Sequence, residues 1–129
     1  MDHKMNFFLI FLGGGIGSLL RYSSTQIVNN VFSKNFLLGT IFVNCVGALL
    51  IGFLMNIFDQ FSINIKWKLF IITGFLGGYT TFSAYSFETV NYFANGNVKY
   101  AVLNIIISNF LCLIFVLLGM WVNKIIFIK

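Results

Sequence analysis

The sequence predicts an all-α membrane protein, a single domain over residues 1–129 with four transmembrane helices, and three observations predict it. Charged residues make up 9% of the chain, where an ordinary soluble domain carries about a quarter. Four long stretches are almost free of charge: residues 5–20 (continuing past Arg21 to 32), 36–58, 69–87 and 100–123. Each can cross, as helix, a hydrocarbon core that takes ~20 apolar residues. These stretches are also continuously apolar, without the alternation toward a polar lumen that a spanning barrel requires.

The connections are short, with 33–35, 59–66 and 95–99 as candidate loops, so the chemistry is expected inside the bilayer. The N-terminal tail is weakly charged and no small-residue cleavage pattern follows, so the first span is expected to be retained. Cys45 and Cys112 fall in the middles of spans two and four and indicate neither a disulfide framework nor a metal cluster. The net charge of +5 comes from lysines at span ends, where they snorkel toward headgroups, so nucleic acid is not implied. With the N-terminus inside, Lys4, Lys66, Lys68, Lys124 and Lys129 face Lys34 and Lys99, a modest inside bias.

Polar groups within a span are costly unless paired or lining a wet path, so they locate function. Span one carries Gly13, Gly14, Gly15, Gly17 and Ser18, and the four-residue spacing of Gly13 and Gly17 indicates close helix packing. No strand precedes these glycines and no Lys-Ser/Thr follows them, which excludes a phosphate loop. Arg21, one turn on, is either a vestibule residue or a snorkelling anchor.

In span two, Gly39, Thr40, Asn44 and Gly47 share one helical face and offer donors for anion solvation or for bonding between helices. Span four repeats the pattern with Asn104, Ser108 and Cys112 at intervals of four, beside Asn109. Span three holds the most specific run, Gly74-Phe-Leu-Gly-Gly-Tyr-Thr-Thr-Phe-Ser-Ala-Tyr-Ser-Phe-Glu88. Paired glycines followed by two β-branched threonines make a weak spot in a helix. A break there is tolerated only where protein or a cavity satisfies the freed carbonyls, and a bound cation is one way to do so. Beyond it Phe82 and Tyr85 lie three apart, with Ser83 and Ser86 nearby. Their positive ring edges suit a small anion, because they bind it without the fixed charge that would trap it. The alternative is that both rings simply pack.

These residues resemble, along nearly the whole chain, the fluoride channels of the Fluc or CrcB family. The resemblance rests on Gly14-Gly15-Ile-Gly-Ser-Leu-Leu-Arg21, Gly39-Thr40-Ile-Phe-Val-Asn44, Gly74-Phe-Leu-Gly-Gly-Tyr-Thr-Thr-Phe-Ser83 and the polar face of span four. It implies a dual-topology dimer of antiparallel subunits in the plasma membrane, with a third helix broken at mid-membrane. It further implies a structural sodium ion at the dimer centre, held by the carbonyls of Gly77 and Thr80. The implied pore residues are Asn44, Phe82 and Tyr85, with Thr40, Ser83 and Ser108 along a polar track and Arg21 at the entrance. Fluoride would leave the cytoplasm by passive permeation, lowering its toxicity.

The family pattern reads Thr-Phe where this chain has Ala84-Tyr85, and some members work as unlike pairs. A homodimer is expected, and this departure raises a heterodimer of paralogous subunits as the alternative. A small dual-topology drug exporter would need a carboxylate in span one, and none is there; Glu88 stands toward one end of span three. An assembly subunit that does not conduct would tolerate Phe82→Ile and Asn44→Leu. No nucleophile-base pair or ligand cluster suggests an enzyme.

Overall fold

A computed structural model describes residues 3–32 and 36–127, and among these all regular structure is helical. Helix α1 spans His3–Val31 and α2 spans Phe36–Gln60. A third helical column follows in two pieces. The first, α3, covers residues 65–79 as a turn at Ile65–Lys68, a wider-wound stretch at Leu69–Leu76 and a last turn at Gly77–Tyr79. The second, α4, is Phe82–Ala94, and α5 is Val98–Phe127. α1, α2 and α5 are each long and apolar enough to cross a membrane. The expected loop at 33–35 lies outside the described residues. The other two connections shrink to 61–64 and 95–97, because the helices run further than the uncharged stretches did.

Glycine decides how α1 meets α3. A Cβ at Gly13 would land on the Phe70 carbonyl oxygen and one at Gly17 on that of Phe75, while one at Gly74 would stand 2.8 Å from the Ile10 carbonyl. The two backbones touch, as the small-residue spacing predicted. Gly15 meets nothing within 4 Å, so only one stripe of the glycine run is used this way. α2 and α5 close on each other by the same device, with Gly52 against the Val116 carbonyl and Gly119 against that of Leu49.

Contact order gives the directions. Leu49 meets Gly119, the Phe53 carbonyl accepts from Asn123, and the Phe61 ring packs on Phe127. Partners rise together, so α2 and α5 are parallel. α1 and α3 are parallel by the same reasoning, from Ile10 with Gly74 and Gly17 with Tyr79. Asn104 bonds Thr89 and Asn109 bonds Tyr85, so α5 runs against α4. The bundle is thus up, down, up, down. Its fully buried centre is small, with Val43, Asn104 and Asn123 the largest enclosed side chains, and much of the apolar surface faces outward as a membrane demands.

Candidate functional site

The site begins where the third column stops being a helix. The weak spot expected around Gly77-Gly78 resolves three residues later. Gly77 is helical (φ −61°, ψ −36°), whereas Thr80 (φ −84°, ψ 159°) and Thr81 (φ −150°, ψ 107°) are extended. β-Branched residues adopt the extended form readily, while Gly78 is used instead to let α3 approach Gly14 of α1. In an unbroken helix the Thr81 N–H would donate to Gly77 and the Ala84 N–H to Thr80. Here the first donates to Asn44 Oδ1 at 2.7 Å and the second to Thr81 Oγ1 at 3.2 Å. Both carbonyls are therefore released from helix bonding.

Asn44 holds the interruption from both sides. Besides accepting from Thr81 N–H, its Nδ2 donates to the Thr81 carbonyl at 3.0 Å. Arg21 reaches in from α1, its Nη1 donating to the Thr80 carbonyl at 3.2 Å. It is half-buried and touches the interruption itself.

α4 starts at once, capped by Thr81, and places Phe82 and Tyr85 side by side with ring centroids 5.2 Å apart and planes tilted 49°. Phe82 is 75% exposed in the single chain. The Tyr85 hydroxyl accepts from Asn109 Nδ2 at 3.0 Å, and Ser83 Oγ lies 3.1 Å from Thr81 Oγ1 on the exposed side. Further along, Thr40 donates to the buried carboxylate of Glu88. Beside it Asn104 Nδ2 donates to Thr89 Oγ1 at 2.9 Å, and Ser108 Oγ donates to Asn104 Oδ1 at 2.9 Å. One carboxylate oxygen of Glu88, Oε2, has no partner although it is buried.

A groove of about 470 Å³ gathers these pieces. Asn44, Gly77, Thr80, Phe82, Tyr85 and Ser108 all line it, together with Asn109, Cys112 and apolar residues of α2, α3 and α5. Thr40, Ser83 and Arg21 lie off it: Thr40 is buried with Glu88, Ser83 is exposed, and Arg21 approaches the interruption from α1. Cys45 and Cys112 are both free thiols. Glu88, Thr89 and Asn109 are the polar residues whose part the sequence left unassigned. Glu88 looked peripheral by position, yet it is only 5% exposed. Its four-residue phase from Ala84 and three-residue phase from Tyr85 was the available signal.

Fold and site together define a multi-pass helical membrane protein with a groove beside an interrupted helix. Residues 8–120 match the family described as CrcB-like protein, Camphor Resistance (CrcB), and the chain belongs to that family. It is 40% identical to a fluoride-specific ion channel FluC of Campylobacter fetus subsp. fetus, over 93% of this chain and 94% of the relative. It is 41% identical to the protein of that name in Coxiella burnetii (93% and 98%) and 41% identical to one in Clostridium perfringens (92% and 94%).

Proposed function

We propose that this chain is a fluoride-selective channel subunit that lets cytoplasmic fluoride leave passively across the plasma membrane. The observation that carries the reading is the groove in which Asn44, Phe82, Tyr85 and Ser108 converge beside an interrupted helix. Fluoride is small and strongly hydrated, so a path for it must supply donors at each step without a charge that holds it. Ring edges of Phe82 and Tyr85 are of that kind, and so is the Tyr85 hydroxyl, which accepts from Asn109 and keeps its own hydrogen to donate. The tie from Asn109 to Tyr85 fixes the ring that bears the extra hydroxyl, which supports permeation in spite of the departure at that position. A channel of this kind performs no covalent step and is not an enzyme.

The subunit works as an antiparallel homodimer in this reading. Phe82 exposed beside the groove, and Gly77 exposed with a released carbonyl, are features a single chain leaves unfinished. A two-fold axis in the membrane plane would bring two interruptions together at mid-membrane. The carbonyls of Gly77 and Thr80 fit a sodium ion, because both are hard oxygen donors freed from helix bonding. Bound there, the ion would supply fixed positive charge to join the two broken helices. The chain's own residues do the rest: Asn44 holds Thr81 extended, and Thr81 caps α4 so that Phe82 and Tyr85 face the groove.

The test is fluoride efflux, followed with a fluoride electrode, from liposomes holding this chain alone with chloride as competitor. Rapid efflux selective for fluoride is expected. Well-folded protein without efflux would refute the self-sufficient homodimer and point to an unlike partner subunit or to an assembly role.

A further inference from the structure

We infer that Arg21 is a built-in rival of the bound cation: its guanidinium and the ion share the Thr80 carbonyl, and the charge of Arg21 limits how tightly the ion is held. The inference rests on the cation reading above. Arg21 Nη1 donates to the Thr80 carbonyl across 59 residues of sequence. The glycine contact one turn earlier makes this reach possible, since Gly17 lies directly against the backbone of Phe75 and Tyr79.

Among the described residues Arg21 makes no ion pair. Asp59 is paired with Lys68 at 3.2 Å, and Glu88 is bonded to Thr40. The guanidinium therefore brings an uncompensated positive charge to a carbonyl that has already lost its helical donor. A carbonyl oxygen has two lone pairs, so it can accept from Arg21 and still face a cation. Two positive charges on one oxygen repel each other, and away from bulk water the repulsion is poorly screened. Arg21 thus does two opposed things. Without the ion it satisfies the interruption, and with the ion it weakens the hold.

Two consequences separate this role from simple anchoring. Removing the charge while keeping a donor, as in Arg21→Gln, makes the interruption less stable without sodium but lets it bind sodium more tightly. Keeping the charge, as in Arg21→Lys, leaves sodium binding close to that of the unaltered chain. An anchor for lipid headgroups would shift neither.

The experiment purifies the chain in N-methylglucamine chloride and follows thermal unfolding while sodium chloride replaces it at constant ionic strength. For Arg21→Gln the sodium midpoint should fall about tenfold below that of the unaltered chain, and the sodium-free protein should unfold earlier. For Arg21→Lys the midpoint should stay within about threefold. Equal midpoints for the unaltered chain and Arg21→Gln would overturn the role of Arg21 and leave the cation reading standing. Absence of any sodium response in the unaltered chain would overturn the cation reading and this inference together. Should Arg21→Gln fail to fold, a tenfold shift in Arg21→Lys would overturn the inference by itself.

Discussion

Where α1 meets α3 the contact is glycine against backbone, whereas α4 meets α2 and α5 through hydrogen-bonding side chains. Gly13 and Gly17 leave no room for a methyl group on one side. On the other, Thr40, Asn44, Asn104 and Asn109 each reach a partner on α4 or at its start. Both devices answer the same physical problem, since apolar burial gives little drive between helices in lipid and packing or hydrogen bonds must supply it. They differ in what they leave behind. Glycine packing leaves a dry, rigid seam. Polar linkage leaves donors and acceptors in a low-dielectric setting, and those can exchange partners with an ion.

The largest expected effect breaks the dry seam. Gly17→Leu places a side chain on the Phe75 carbonyl, and overpacking of this kind costs about 3 kcal/mol or more. The chain should then fail to elute as a monodisperse species on size exclusion in detergent. Asn44→Leu comes next. It strips the Thr81 N–H and carbonyl of their partners, and two unpaired backbone groups cost about 2–5 kcal/mol together. Fluoride efflux should vanish and the unfolding temperature should drop; full efflux would show that the interruption holds without Asn44.

Thr40→Val sharpens the comparison. It removes the one hydrogen bond shown for the buried Glu88 carboxyl, and leaving that group unpaired costs about 1–3 kcal/mol, so the fold should persist with a fall in thermal stability. A collapse of the fold would show that the polar half is as tightly specified as the glycine seam. Ser83→Ala should do least, because Ser83 is exposed and its neighbour Thr81 keeps its cap on Ala84. Efflux is expected within about twofold of the unaltered chain, a change within the ordinary range for exposed positions. A tenfold fall would place Ser83 in the path after all.

The fold was legible where the signal was one-dimensional. Apolar length located the helices, and the spacing of Gly13 and Gly17 foretold the seam that the structure shows. The family resemblance grouped Asn44, Phe82, Tyr85 and Ser108, which all line the groove. What stayed hidden depends on which partner a group finds in space. Gly77-Gly78 looked like the weak point, but Gly78 is occupied in packing and the extended residues are Thr80 and Thr81. No local pattern could say that Asn44, 37 residues earlier, would take over the backbone of Thr81. Arg21 had two open readings, and its contact with Thr80 gives a third. Glu88 looked terminal because charge was used to mark the end of a span, whereas α4 carries on to Ala94 and buries it.

The central claim is that the polar half carries the path while the glycine seam carries the fold, and Phe82→Ile tests it most directly. Phe82 is exposed in the single chain and makes no hydrogen bond through its side chain, so its loss should leave the subunit intact. Fluoride efflux from liposomes should fall at least tenfold against the unaltered chain, with an unchanged elution volume in detergent. Equal efflux from both proteins would contradict the account.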